Sequence, residues 1–288
     1  MNGPHDVTRR EILARGALGL FSLVARPTIA SEAECDFPVR DGLPRVDYHV
    51  HIGDEITIGQ AVRLANQRGL KFGLLQHAGT KGHGYAVSDD AELSSWLRSL
   101  DGLPVFKGIE GEGTDWMSAF SKKAIAALDY VQADPFAVPD ATGVPMQIWR
   151  PEFRPGDVQA FMDRYVDYHL FLITTHPIDI LAVPTVLPDV LRSDYERLWT
   201  ARRTRTIVDA LRKFNVALEI DSRFRVPSPR FLEVAKAGGV KFAFGSNYQV
   251  AERLGDISYG IEMFKRLRLD SGHMFCPALP GKKPVERR

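Results

Sequence analysis

Residues 45–51 read Arg-Val-Asp-Tyr-His-Val-His, a short apolar run that ends in two histidines one residue apart. The run predicts a strand over Arg45–Val50. An amphipathic pattern that predicts a helix, Thr57–Arg68, follows it, and then a second short apolar run, Lys71–Gln76. A strand, a helix and a strand in this order are typical of a parallel sheet with right-handed crossovers.

The same alternation continues along most of the chain. The further predicted strands are Val105–Ile109, Tyr130–Ala133, Leu170–Thr175, Ala217–Ile220 and Lys241–Gly245. The further predicted helices are Ala91–Leu100, Trp116–Leu128, Pro155–Tyr168, Asp194–Phe214, Ser228–Ala237 and Ile257–Leu267. Seven strand–helix units predict an α/β fold with a parallel sheet covered on both faces. A barrel accommodates seven units around one centre better than an open sheet does, although a doubly wound sheet remains the alternative.

The composition argues against several functional classes. The chain has 288 residues, with 37 Lys and Arg against 36 Asp and Glu, and a formal net charge of +1. A nucleic-acid partner is not expected, because nucleic-acid binders normally carry a basic excess. Two cysteines, Cys35 and Cys276, are too few for a thiolate zinc cluster, but they could form a disulfide in an oxidising compartment. No apolar stretch has the length of a membrane span, so no stable membrane anchor is expected.

The amino terminus differs from the rest of the chain. Arg9 and Arg10 precede a mildly apolar run, Ala17 to Ala25, and then a region of small residues. This order is that of a secretory signal, and the paired arginines resemble a twin-arginine export signal. We therefore predict a signal peptide at 1–33, a barrel at 34–276 and a flexible basic tail at 277–288. We expect the twin-arginine export machinery to recognise this segment, and the protein to be located in the periplasm or outside the cell. An amphipathic N-terminal helix is the alternative.

Histidines and a glutamate follow the predicted strands. His49, His51, His77 and His176 lie at or just beyond the C-terminal ends of predicted strands, and Glu110 occupies the same kind of position on the third strand. Side chains two residues apart on a strand point to the same side, so His49 and His51 can face one ion. A lone histidine at a strand end is more often structural. Five such groups at one end of a barrel, where catalytic groups lie, predict a site for zinc, manganese or iron.

The ordered motifs also carry a family resemblance. They are Asp47-Tyr48-His49-Val50-His51, Gln76-His77-Ala78-Gly79, Gly108-Ile109-Glu110, Thr175-His176-Pro177, Leu218-Glu219-Ile220-Asp221 and Gly245-Ser246-Asn247-Tyr248-Gln249. This series resembles the PHP family (polymerase and histidinol phosphatase domain) over roughly residues 44–255. The resemblance implies a distorted (β/α)7 TIM-like barrel, two or three metal ions and hydrolysis of phosphate esters.

Several positions depart from the family pattern. Asn247 and Gln249 stand where the family has a metal-binding aspartate and a histidine, and Phe136 stands where it has another histidine. Amide oxygens are weak partners for a divalent cation. The resemblance then leaves one or two ions. Their ligands would be His49, His51 and Glu110 at a first position, and Glu110, His176 and Asp134 at a second.

The third metal position of the family keeps only His77. If His77 is free of metal, it could act as a general acid or base. Arg223 and Arg225 follow the sixth predicted strand, and they could hold a phosphate or carboxylate of a small-molecule substrate. Loop arginines in surface ion pairs are an equally good interpretation.

The resulting hypothesis is an exported, PHP-like metal-dependent hydrolase that acts on a phosphate ester. Two alternatives remain open. One is a degenerate member that binds a ligand or a metal without turnover, which the residues at 247 and 249 favour. The other is an amidohydrolase-like metal barrel, which also begins with His-x-His.

Overall fold

A computed structural model describes residues 35–53, 55–279 and 282–286. The predicted signal peptide, residues 1–33, lies outside them. Within the described residues, seven parallel strands form the central sheet. They are β1 Val46–His51, β2 Lys71–Leu75, β3 Phe106–Gly111, β4 Tyr130–Ala133, β5 Ile180–Leu181, β6 Ala217–Asp221 and β7 Phe242–Gly245. A two-residue strand, His77–Ala78, follows β2 and also pairs with β3.

The sheet curves into a nearly closed barrel. Its strands are hydrogen-bonded in chain order from β1 to β7, and the two edge strands lie against each other. The backbone N–H of Asn247, just after β7, donates to the carbonyl of His49 on β1 at 3.1 Å. The predicted seven-strand α/β barrel is therefore confirmed, and the open-sheet alternative is wrong.

Helices surround the strands. They are α1 Ile58–Arg68, α2 Asp90–Ser99, α3 Lys122–Ala126, α4 Val158–Thr175, α5 Ala201–Phe214, α6 Pro229–Ala237 and α7 Ser258–Arg266. A short helix, Tyr195–Leu198, precedes α5, and 3-10 turns lie at Trp116–Ala119, Asp189–Asp194 and Ser271–His273. Side chains that satisfy free N–H groups mark several helix starts, as at Thr57 and Asp157. None of the helices in the described ranges is both long and apolar enough to cross a bilayer.

The predicted fifth strand is wrong. Residues Leu170–Thr175 form the last turns of α4, whose buried side chains include Tyr165 and Leu172. An unbroken apolar run does not distinguish a strand from a buried helix, and here the helix extends through it. The true fifth strand, Ile180–Leu181, has only two residues and follows α4.

Tyr130 on β4 fills part of the barrel below the candidate site. Its hydroxyl donates to the backbone carbonyl of Tyr48 on β1 at 2.7 Å, and the ring contacts that of Tyr48 edge-on. The ring lies so close to Gly108 on β3 that a side chain there would overlap it. Glycine at this position therefore allows the Tyr130 side chain on β4 to reach the backbone of β1 across the interior.

The edge between β7 and β1, here called the seam, is held at both ends. At its upper end, Asp47 Oδ1 accepts from the N–H groups of His49 and Ser246 at 3.0 and 2.9 Å. At its lower end, the N–H of Phe275 donates to the carbonyl of Phe242 on β7. The carbonyl of Phe275 accepts from the Tyr48 hydroxyl. A segment from the end of the chain thus closes the gap that seven strands leave.

A disulfide secures this segment. Cys35, upstream of β1, is bonded to Cys276 with a Cα separation of 5.5 Å and a sequence separation of 241 residues. The bond therefore joins the segment before β1 to the segment after the last helix, beside the seam. A cross-link over so long a stretch removes many conformations from the unfolded chain.

We expect the Cys35→Ser/Cys276→Ser double variant to unfold more readily, with a loss of ~2–5 kcal/mol in the free energy of unfolding. Urea denaturation of the oxidised protein, the reduced protein and the variant measures this loss. Reduction should lower the stability of the parent protein and leave that of the variant unchanged. Equal stability of all three samples would show that the cysteines do not pair in solution.

Described residues of the predicted flexible tail contact the barrel. Lys283 is buried, and its ammonium pairs with the carboxylate of Asp179 at the N-terminal end of β5. The same carboxylate accepts from the N–H of Val131 on β4 at 2.8 Å. Lys283 therefore attaches the tail to the end of the barrel opposite the candidate site. Removal of either partner would leave a buried charge uncompensated, at a cost of about 3–5 kcal/mol.

Candidate metal centre

Three pairs of side chains, each two residues apart, meet at the carboxyl ends of the strands. His49 and His51 end β1, Glu110 and Glu112 end or follow β3, and Glu219 and Asp221 end β6. Within each pair the alternation of the strand directs both side chains to the same side. Their donor atoms form three groups compact enough to hold a cation: His49, His51 and Glu110; His49, Glu219 and Asp221; and His77, Glu110 and Glu112.

The first group has the geometry of a metal site. The Nε2 atoms of His49 and His51 lie 3.0 Å apart. Glu110 Oε1 lies 3.6 Å from His49 Nε2, and Glu110 Oε2 lies 3.3 Å from His51 Nε2. Ligand atoms bonded to one tetrahedral zinc at about 2.0 Å are about 3.3 Å apart. Two imidazoles and one carboxylate at this spacing fit zinc, manganese or iron.

Neighbouring groups orient these donors. Glu219 Oε1 lies 2.8 Å from His49 Nδ1, which leaves Nε2 of His49 to face the site. The backbone N–H of Val183 donates to the other oxygen of Glu219. The amide of Gln132 donates to Glu110 Oε1 at 3.0 Å. His49 and Glu110 are thus each held in place by another buried side chain.

Glu219 reaches His49 only because residue 245 is glycine. A Cβ at Gly245 would overlap the Glu219 carboxylate and crowd Cβ of His49. Gly245 ends β7, between the strands that carry Glu219 and His49. The glycine is therefore required by the close approach of a carboxylate, and a larger residue there would displace it.

His77 forms a second group on the other side of Glu110. Its Nδ1 lies 2.5 Å from Glu112 Oε1 and 3.5 Å from Glu110 Oε2, and its ring stacks on that of His51 at 4.4 Å. Glu110 therefore faces His49 with one oxygen and His51 and His77 with the other. His77 is 44% exposed, the most accessible of the three histidines.

The carboxylates set the protonation of the histidines. Burial lowers the pKa of His49, but the charges of Glu219 and Glu110 outweigh it and raise the pKa to about 10. Burial likewise lowers the pKa of His77, but its hydrogen bond with Glu112 and the charge of Glu110 raise it to about 9. Burial prevails at His51 and lowers its pKa to about 4. A cation bound here must displace protons from His49 or His77, so binding should strengthen as the pH rises.

The pKa values of the carboxyl groups shift in different directions. Burial raises the pKa of Glu110, but the three nearby imidazoles outweigh it and lower the pKa below its usual range. Burial and the charges of Glu110 and Glu112 raise the pKa of Asp134 well above its usual range. Burial and the charge of Glu219 do the same at Asp221, one oxygen of which is buried without a partner in the described structure. The cluster has more carboxyl groups than its own cations can neutralise, as expected of a cation site.

The predicted ligands do not all come together. His49, His51, His77, Glu110 and Asp134 line one cavity of about 410 Å³. His176 does not line it, because it caps the end of α4 and follows no strand. Its Nδ1 accepts from the indole of Trp116 at 3.0 Å, and its Nε2 lies 3.1 Å from the carbonyl of Thr114. The structure therefore corrects the placement of His176 as a ligand.

The two predicted arginines separate. Arg223 lines the cavity and donates to the carbonyl of Asn247 at 3.1 Å. Arg225 lines only a neighbouring cavity of about 610 Å³, where it pairs with Glu262 at 2.6 Å and lies over the ring of Tyr259. For Arg225 the surface ion pair that we considered is the one observed.

Glu112, Glu219 and Asp221 were missed as donors. The signal was present in Gly-Ile-Glu-Gly-Glu-Gly at 108–113 and in Leu-Glu-Ile-Asp at 218–221, which have the same two-residue spacing as His49 and His51. Asn247 and Gln249 also line the cavity. The three missed carboxylates belong to the groups that could hold a cation.

One solved structure shares this fold. The chain resembles a histidinol phosphate phosphatase from Lactococcus lactis subsp. lactis, solved with zinc, L-histidinol and phosphate, with a TM-score of 0.56 and 16% identity over 80% of this chain and 98% of that chain. It also resembles a β-mannanase from Streptomyces thermolilacinus with a TM-score of 0.37 and 16% identity over 79% of this chain and 78% of that one. No family model matches the sequence, and no curated protein matches it either.

We expect His51→Ala to lower the affinity for Zn²⁺ by at least about tenfold, because it removes one of three converging donors. Calorimetric titration of chelator-treated protein measures this affinity, and for the parent protein it should rise from pH 6 to pH 8. His83→Ala is the matched control, because His83 is exposed and belongs to none of the three groups. Equal affinity of the two variants would exclude His51 as a ligand.

Proposed function

We propose that this chain is an exported, PHP-like metal-dependent hydrolase that acts on a phosphate ester. The main support is the triangle formed by His49 Nε2, His51 Nε2 and the Glu110 carboxylate, with its oriented neighbours. The fold shared with a phosphatase that binds zinc and phosphate adds to it.

The charge of the cavity supports a cation-dependent reaction. Glu110, Glu112 and Asp134 line it, and the raised pKa of Asp134 reflects an excess of carboxyl groups that a bound cation would relieve. Arg223 has no carboxylate partner within the described part of the chain and lies on the rim. It is therefore placed to bind an anionic substrate bidentately.

A bound divalent ion would acidify a water and polarise the ester. The protein's own residues do the rest. Glu219 fixes the His49 ring, and Gln132 fixes the Glu110 carboxylate. His77, held by Glu112 at 2.5 Å, would donate a proton to the oxygen of the departing alcohol.

The number of ions decides the role of His77. With one ion, held by His49, His51 and Glu110, His77 would be free to act as a general acid. With two ions, His77, Glu110 and Glu112 would hold the second. Metal analysis of the purified protein distinguishes these two states.

A protein that binds a ligand or metal without turnover is the second candidate. It is favoured by Asn247 and Gln249, which line the cavity with neutral amides where the PHP resemblance implies an aspartate and a histidine. The same assay that tests hydrolysis separates the two.

We expect hydrolysis of phosphomonoesters in the presence of Zn²⁺ or Mn²⁺, and its loss on chelation. Glu219→Gln keeps the shape but removes the charge that orients His49, so kcat/KM should fall about 10–100-fold. His83→Ala should retain full activity.

Other results would point elsewhere. Bound metal with no turnover of any ester would favour the binding protein. Hydrolysis confined to amides or lactones, and abolished by His49→Ala, would favour the amidohydrolase-like alternative and contradict the phosphate-ester proposal.

We propose export by the twin-arginine route to the periplasm or beyond, on the basis of residues 1–33. The Cys35–Cys276 disulfide supports an oxidising destination. A fusion of residues 1–35 to a reporter should be exported, and Arg9→Lys/Arg10→Lys should block its export. Equal export of the double variant would refute the twin-arginine route.

A further inference from the structure

Three aromatic side chains, here called the aromatic wall, line the same cavity as the metal donors. They are Phe136, Trp149 and Phe224. The ring centroids of Phe136 and Trp149 lie 5.7 Å apart at an interplanar angle of 36°, and Phe136 meets Phe224 edge-on, also at 5.7 Å. The wall thus combines residues from the segment that follows β4 and the segment that follows β6.

Trp149 is the unusual member of the wall. It is 45% exposed, whereas Trp96, Trp116 and Trp199 are buried. It follows a small hairpin, Ala137–Pro139 paired with Pro145–Gln147. A large aromatic surface left open beside a polar cluster is typical of a binding site.

Phe136 makes the same point from the sequence. It stands where the PHP resemblance implies a metal-binding histidine, and a phenyl ring offers no donor to a cation. This ring contacts both other members of the wall. The three rings therefore form a continuous apolar surface, which a site built only for metal and phosphate does not need.

The cavity has room for more than a phosphate. At about 410 Å³ it falls in the size range of pockets for small organic ligands. Arg223 lies over the face of Phe224 at 5.2 Å, and both residues also line the neighbouring cavity of about 610 Å³. The metal donors and the wall share one cavity, so an ester held at the donors would have its organic part against the wall.

We infer that the aromatic wall is a binding subsite for a flat ring in the alcohol part of the substrate, with Trp149 as the residue that selects it. The inference rests on the proposed phosphate-ester hydrolysis. Aryl groups and nucleobases share the chemistry required, a planar π face that stacks on tryptophan. The substrate class is thus a phosphomonoester of an aryl-bearing alcohol or of a nucleoside.

Phosphonates test this subsite without turnover, because their P–C bond is not hydrolysed. We expect the Zn²⁺-loaded protein to bind phenylphosphonate about tenfold more tightly than methylphosphonate by calorimetry. Phenylphosphonate should also quench tryptophan emission, since Trp149 is the accessible tryptophan of the described chain. The 5′-methylenephosphonate analogue of adenosine monophosphate forms the nucleobase arm, and the tighter of the two ligands identifies the ring.

Trp149→Ala should abolish the tenfold preference and the quenching, and Trp149→Phe should retain most of the preference. Val144→Ala is the matched control, because Val144 is an exposed apolar residue at the turn of the same hairpin and does not line the cavity. A preference for the ring that survives Trp149→Ala would overturn the inference.

The test distinguishes failure of this inference from failure of the proposed function. Equal binding of methylphosphonate and both ring-bearing phosphonates would refute the subsite and leave the phosphate-ester proposal standing. Binding of none of the phosphonates would refute phosphate recognition. In that case uncharged adenosine, titrated alone, decides whether the wall binds rings: quenching lost in Trp149→Ala supports it, and no quenching overturns it.

Discussion

The hydrogen bond between Glu219 Oε1 and His49 Nδ1, at 2.8 Å, is the interaction on which the site depends. It requires three neighbouring strands at once, because β6 supplies the carboxylate, β1 supplies the imidazole, and Gly245 on β7 leaves the space between them. A barrel that failed to close would separate the two side chains. Closure of the sheet and assembly of the metal donors are therefore one event, and the buried carboxylate gains its compensating partner only in the closed state.

Much of the fold follows from local patterns. Short apolar runs bounded by amphipathic runs were sufficient for six of the seven strands, because each strand is covered on both faces. The fifth strand could not be recognised, since Ile180–Leu181 is only two residues long and a longer apolar run, Leu170–Thr175, lies just upstream in a helix. The error displaced His176 with it, because a residue after a helix need not lie at the carboxyl edge of the sheet.

The candidate site was predictable to the extent that it repeats one spacing. His49 and His51 were recognised from their positions on one strand, and the equivalent carboxylate pairs on β3 and β6 form the rest of the cluster. The orienting contacts were not predictable, since Gln132 and Val183 act through atoms brought together only by the tertiary fold. Similarly, the partner of Lys283 is a carboxylate more than a hundred residues away, so the position of Lys283 in a basic tail did not indicate this ion pair.

The seam has a further consequence for how the molecule responds to its surroundings. Donors lie on both sides of it, His49 and His51 on β1 and Glu219 on β6 behind β7, and the segment that fills its lower end is tied to Cys35. Oxidation of the cysteines stabilises this closed edge, and a cation held by the donors on both sides would do the same. By thermodynamic linkage, a cation that bound the closed edge more tightly than an open one would also favour the oxidised pair.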